Sequence, residues 1–153
     1  MKIAEALSLR ADAQRRVEQL RHRIVSNARF QEGEEPAESA ADLLVEADRV
    51  LDGLEVWIAR INRTNVAVDL GADGTMTEAL ARRDVLRLRH SVLSAAADAA
   101  GSDTGFRQLR SELRQVTALP VRELRTRADD VARQLRELDI RIQQANWTHD
   151  LLE

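Results

Sequence analysis

Four stretches of the chain place apolar residues at alternating spacings of three and four, the spacing that one face of an α-helix requires. The first stretch begins at Ile3 and continues to about Val25. The second spans Ser39 to about Arg63, and its stripe is wide because further apolar residues flank the regularly spaced positions. The pattern predicts a long amphipathic helix for each stretch.

The third and fourth stretches begin with recognisable helix starts. Thr75 precedes the third, and its hydroxyl can cap a helix while Glu78 reaches back, as in a capping box. Gly101 suits the end of this helix. Pro120 precedes the fourth stretch, at a place where a missing backbone N–H costs little. We therefore predict a mainly α fold, an antiparallel four-helix bundle.

Two short motifs occur twice, which indicates an internal repeat. EALSLR (5–10) matches EALARR (78–83) at an offset of 73 residues, and RINRTN (60–65) matches RIQQAN (141–146) at an offset of 81. The repeat predicts two helical hairpins within a single helical domain, residues 1–153. The pseudo-repeat halves are about 1–70 and 73–153. In an up-and-down bundle all four motifs then lie at one end.

The connectors inside the two hairpins, Asn27–Ala37 and Gly101–Leu119, are ambiguous. The second contains apolar residues at helical spacing, from Phe106 to Val116. Its segment 111–118 can also be extended, with the segment around Phe30 as a partner strand. The sequence leaves both structures open, a helical connector or a minor two-stranded β pairing between the connectors.

Polar residues gather at the end of the predicted bundle where the motifs meet. Arg10 and Arg83 occupy stripe positions that would otherwise be apolar. Buried polar groups must bond to one another, because an unpaired one carries a desolvation cost. The candidate cluster is either a structural network that fixes helix register or a pocket for a small ligand or anion. Its members are Glu5, Arg10, Asn62, Asn65, Glu78, Arg83, Gln143 and Asn146.

Composition narrows the classes of function. A formal net charge of -3 gives no electrostatic reason to expect a nucleic-acid partner. The absence of cysteine excludes disulfides, thiolate metal sites and cysteine nucleophiles. No apolar run approaches the length of a membrane span, and the N-terminus does not have the pattern of a signal peptide. We therefore predict a cytoplasmic protein without a membrane partner.

The sequence carries no recognisable catalytic or metal-binding motif. Its three histidines, His22, His90 and His149, fit neither a Glu-x-x-His di-iron pattern nor an HExxH zinc motif. The acidic stretch 32–42 lacks the spacing of an EF-hand loop. The stretch GADGT (71–75) lacks the lysine and the preceding strand of a phosphate-binding loop. We therefore expect no enzymatic activity, no metal and no cofactor.

Several polar stretches resemble the septicolysin-like family of small bacterial helical proteins. They are EAL-x-x-R at the start, NARFQEGEEPAE after the first helix, RINRTN, GTMTEALARRDVL and RIQQANWT. The resemblance implies a mainly helical fold and brings no active site. The family name also implies a pore-forming toxin, although the chain shows neither an export signal nor a segment able to line a pore.

These observations favour a non-enzymatic function in protein association. Wide apolar stripes on the second and fourth helices exceed what one small bundle can cover, which predicts a homo-oligomer. The first alternative is binding of a small ligand or anion at the polar end of the bundle. The second is membrane activity, which only the family name implies.

Overall fold

The computed structural model describes residues 1–102 and 115–153 of the chain. Within them the chain forms four long α-helices and one turn of 3-10 helix. The helices are α1 (Ile3–Asn27), α2 (Ala40–Ala67), α3 (Met76–Gly101) and α4 (Val121–Thr148), and the 3-10 turn is Gly71–Asp73. The predicted fold class, a mainly α protein of four helices in antiparallel pairs, is confirmed.

Local capping explains where α2 and α3 begin. The Ser39 hydroxyl accepts a hydrogen bond from the Asp42 backbone N–H at 3.2 Å, which starts α2. At the start of α3 the Thr75 hydroxyl accepts from the Glu78 N–H at 3.3 Å, and the Glu78 carboxylate accepts from the Thr75 N–H at 2.7 Å. This reciprocal pair is the capping box expected from the sequence.

The end of α2 lies beyond the predicted one. The helix continues past Arg63 to Ala67, and the Val68 N–H still bonds to the Thr64 carbonyl at 2.9 Å. The apolar stripe of this stretch has its last regularly spaced position at Ile61, so the spacing alone does not fix how far the helix continues beyond it. The helix ends where Val68 adopts an extended backbone.

The helices pack as two hairpins that meet at one end. Helix α1 packs along α2 and α3 along α4, with smaller contacts between α1 and α4 and between α2 and α3. The largest buried cluster runs along α3 and α4 and includes Ile3 and Val68 from the other hairpin. A separate cluster, Leu20, Leu43 and Ala47, fills the opposite end of α1 and α2. The hairpins therefore share a core near the start of α1 and have separate cores at their far ends.

The described part of the connectors contains no strand. The Asn27 side chain accepts from the Glu38 N–H at 3.1 Å, and Arg23 Nε donates to the Glu38 carboxylate at 2.9 Å. These side-chain contacts close the first connector without a strand ladder, and Phe30 stays exposed. The predicted β pairing is therefore wrong for this segment, while 103–114 of the second connector lies outside the described residues.

The sequence predicted no segment long and apolar enough to span a membrane. None of the described helices, across residues 1–102 and 115–153, combines the length and the apolar character that a bilayer crossing requires.

Candidate functional site

All four helices contribute side chains to one cavity of about 370 Å³. Five of its lining residues are apolar and five are polar, and the polar groups are two guanidinium groups and three amides. The lining consists of Leu7 and Arg10 of α1, Ile61 and Asn65 of α2, Met76, Leu80 and Arg83 of α3, and Ile142, Gln143 and Asn146 of α4. The cavity is therefore a feature of the junction between the hairpins.

The structure brings five of the eight candidate cluster residues together around this cavity and places three elsewhere. Asn62 is exposed on α2, because it follows the buried Ile61 and therefore lies about 100° further round the helix. Glu5 accepts from the Lys2 backbone N–H at 2.7 Å, and Glu78 belongs to the capping box of α3. Both glutamates therefore serve helix starts and do not line the cavity.

The backbone N–H of Thr75 and then its hydroxyl hold the pKa of the Glu78 carboxyl below its ordinary value. This glutamate therefore stays ionised at neutral pH. A capping carboxylate at a helix N-terminus is also favoured by the helix dipole.

Arg10 is a partly buried cation that lacks the hydrogen-bond and ion-pair partners such a group usually has. Its Nε atom is enclosed and has no hydrogen-bond partner among the described residues, and the guanidinium forms no ion pair with them. Arg83 differs, because it donates to Asp84 Oδ1 at 3.2 Å from Nη2, and that aspartate is largely exposed. None of the ten described lining residues is acidic. The cavity therefore holds positive charge that its own lining does not neutralise.

Asn146 is the most buried polar residue of the cavity. Only 8% of its surface is exposed, and its side-chain amide makes no hydrogen bond within residues 1–102 and 115–153. Its amide atoms are not fully enclosed, and they therefore face the open space of the cavity. A molecule bound there would be in place to form hydrogen bonds with this amide.

The two hairpins present equivalent side chains to the cavity. Four pairs of lining residues follow the repeat offsets of 73 and 81: Leu7 with Leu80, Arg10 with Arg83, Ile61 with Ile142, and Asn65 with Asn146. Two backbone hydrogen bonds are related by the same offsets. The Ile3 N–H donates to the His149 carbonyl at 3.2 Å, and the equivalent Met76 N–H donates to the Val68 carbonyl at 2.8 Å. The cavity thus has an approximate twofold arrangement of donors, while the internal repeat itself stays a prediction.

A buried carboxylate that sequence analysis missed, Asp73, joins the 3-10 turn to α3 and α4. Arg141 donates to both of its oxygens, with Nη2 at 3.1 Å from Oδ1, and Arg82 Nη1 lies 2.9 Å from Oδ1. The hydrogen bonds from Arg141, followed by the charges of both arginines, hold the pKa of Asp73 below its ordinary value against the effect of burial. No local motif signals this contact, because Arg141 lies 68 residues away.

The arginine that corresponds to Arg141 in the first motif has different partners. Arg60 Nε donates to the Leu152 carbonyl at 3.0 Å, and its guanidinium lies 5.6 Å from the centre of the Trp57 ring. The buried Thr64 hydroxyl accepts from the Leu152 N–H at 3.0 Å. Arg60 and Thr64 of RINRTN therefore anchor the C-terminal tail, while Ile61 and Asn65 of the same motif line the cavity.

Comparison with known proteins places the chain in a family. A model of a family of unknown function, DUF6847, matches residues 10–151. The chain belongs to DUF6847. This DUF6847 chain is similar to the crystal structure of a functionally unknown conserved protein from Corynebacterium diphtheriae, with 36% sequence identity, a TM-score of 0.93 and coverage of 99% of each chain. A comparison with curated proteins found no match.

The family assignment corrects the resemblance drawn from the sequence. The septicolysin-like assignment is wrong, because the family that matches most of the chain is DUF6847 and no comparison names a septicolysin-like family. Most of the stretches that suggested it lie within the residues that the DUF6847 model matches. They are features of this DUF6847 chain, and the pore-forming activity had no support beyond the family name.

Proposed function

We propose that this DUF6847 protein binds a small anion in the four-helix cavity. The observation that carries the proposal is the cavity lining, which gathers two guanidinium groups and three amides without an acidic residue. Among the described residues, the enclosed Arg10 Nε has no partner, and the Asn146 amide, which faces the cavity, makes no hydrogen bond. An enclosed polar atom such as Arg10 Nε is costly unless something bonds to it.

The lining also indicates the class of ligand. A guanidinium group binds carboxylate or phosphate oxygens through paired hydrogen bonds, and amides accept or donate to hydroxyl and carbonyl groups. The volume of about 370 Å³ suits a small metabolite. Because Arg10 and Arg83 come from equivalent places in the two hairpins, a ligand with two acidic groups engages both. We therefore propose a small di-acid or a phosphate ester.

The proposed function is binding without catalysis. Guanidinium and amide groups do not exchange protons near neutral pH, so the polar lining offers no general acid or base. The sequence predicts a protein that is not an enzyme, has no nucleic-acid or membrane partner and is cytoplasmic. These statements stay predictions.

Thermal shift measurements with succinate, malate, citrate and inorganic phosphate test the proposal. A ligand at about one hundred times its Kd adds about 2.7 kcal/mol of stability, which raises the Tm by roughly 5–10 °C for a chain of this length. We expect the substitution Arg10→Met to abolish this rise. Arg15→Met is the matched control, because Arg15 lies on the same helix, is largely exposed and carries the same charge.

The stability of Arg10→Met measured without ligand distinguishes a binding site from a structural network. If Arg10 serves a ligand, Arg10→Met leaves the ligand-free protein as stable as the wild type or more stable, since it removes an unpartnered buried group. If Arg10 only fixes the packing of the helices, the variant loses stability and none of the four anions raises the Tm. The second pair of results would contradict the proposal.

We also propose that the protein associates with itself. The supporting observation is the exposure of large apolar side chains on α3, where Val85 is 52% exposed and Leu88 and Val92 are each 68% exposed. Contiguous apolar surface of this kind is uncommon on monomers and marks interaction sites. Light scattering over a dilution series should show a species larger than one chain that dissociates on dilution. A monomer throughout the micromolar range would contradict self-association.

A further inference from the structure

Helix α3 carries a second apolar stripe, distinct from the one that packs in the core. The core stripe consists of Ala79, Leu86, Leu93 and Ala97, all buried. The second stripe, which we call the outer stripe, consists of Ala81, Val85, Leu88, Val92 and Ala95, all exposed. Its spacings of four, three, four and three match the seam of a coiled coil. This spacing predicts that the outer stripe packs against another helix.

The residue types of the outer stripe indicate how many helices pair. In heptad positions, Val85 and Val92 occupy a, and Ala81, Leu88 and Ala95 occupy d. A β-branched residue at a with leucine at d favours a parallel coiled coil of two helices. The small residues at both ends of the stripe allow close approach of the two helices. The stripe from position 81 to 95 extends for about 21 Å at the rise of an α-helix.

The charged residues beside the outer stripe favour pairing with a second copy of the same helix. Asp84 occupies a g position and Arg89 an e position. In a parallel pair Asp84 faces Arg89 of the second copy, twice by symmetry, whereas an antiparallel pair places like charges opposite one another. Arg89 has no ion pair among the described residues, and Asp84 is paired only with its neighbours Arg83 and Arg87.

We propose that α3 pairs in parallel and in register with α3 of a second copy through the outer stripe. The proposal rests on the self-association proposed above and names the surface and the orientation. Arg83 lines the cavity on the side of α3 that faces the other helices, so the pairing leaves the anion site uncovered. A twofold axis then runs parallel to the two α3 helices and midway between them, so both chains use the same surface.

Cysteine cross-linking tests the register, because the chain has no cysteine of its own. In a parallel in-register pair each d residue lies opposite its own counterpart, within reach of a disulfide. We expect Ala81→Cys and Ala95→Cys, prepared separately and oxidised mildly, to convert most of the chain to disulfide-linked dimer. Ile140→Cys is the control, since Ile140 is 65% exposed on α4 and lies outside the outer stripe. It should stay largely monomeric on a non-reducing gel.

The outcomes separate this proposal from self-association in general. Cross-linking of both α3 variants with little from the control supports parallel pairing. If light scattering shows a dimer but only one α3 variant or neither cross-links, the parallel pairing is overturned and self-association stands. If the protein scatters as a monomer and neither variant cross-links, both proposals fail. Leu88→Glu, read by light scattering and by circular dichroism, should convert the dimer to a folded monomer.

Discussion

Leu138→Ala should lower the free energy of unfolding by about 2–5 kcal/mol, the range for removing a buried leucine side chain from a packed core. Leu138 is 1% exposed and belongs to the largest buried cluster, in the middle of α4. Alanine keeps the helix intact, because it has the highest helix propensity, so the loss reports packing alone. Urea titration followed by circular dichroism at the helical band measures it.

The control for this substitution lies two residues further along the same helix. Ile140 is 65% exposed, so Ile140→Ala should change the free energy of unfolding by less than about 0.5 kcal/mol. Because Ile3 and Val68 join the cluster of α3 and α4, the loss at Leu138 should also weaken the junction between the hairpins. Equal effects of the two substitutions would mean that α4 is not packed as described.

The elements that could be predicted from the sequence are those set by local pattern. Apolar spacing placed the four helices, and Thr75 with Glu78 marked the start of α3 because a capping box involves only neighbouring residues. The end of α2 was harder to predict from the sequence. Asparagine occurs both inside helices and at their ends, so its presence in RINRTN did not decide between the two.

The candidate cavity could be predicted in part, because the repeated motifs place their residues at the same end of antiparallel helices. Arg10 and Arg83 occupy the same position in two copies of one motif, and both line the cavity. Asn62 was included with Asn65 because the two are close in sequence. Which of them faces inward depends on the rotation of α2 against its neighbours, and that is a property of packing.

Two features required the structure. The buried position of Asp73 depends on Arg141, which is distant in sequence and approaches it only when α4 packs along α3. The outer stripe of α3 has the same spacing as the core stripe and is more uniformly apolar, since Arg83 and His90 fall between the core positions. Periodicity alone therefore cannot say which stripe faces the core of the same chain.

Asp73→Asn should lower the free energy of unfolding by about 2 kcal/mol at neutral pH, the scale for a hydrogen bond with a charged partner. Asp73 is only 6% exposed, and an amide there keeps one acceptor but presents N–H donors to the guanidinium groups of Arg82 and Arg141. Urea denaturation of both proteins measures the difference. Asp52→Asn, at an exposed position on α2, removes the same charge and should have little effect.

The same comparison, repeated as a function of pH, tests the cause of the effect. Arg141 and Arg82 depress the pKa of folded Asp73, so its contribution to stability is fully present above the unfolded pKa of about 3.9 and is lost as the pH falls through the lower folded value. The difference between wild type and Asp73→Asn should therefore be constant from pH 7 to about 5 and shrink below about 4. Other acids whose pKa is depressed, such as Glu78 and Asp150, are present in both proteins, so their titration cancels in the difference. A difference that stays constant below pH 3 would show that Asp73 stabilises the fold by its shape and not by its charge.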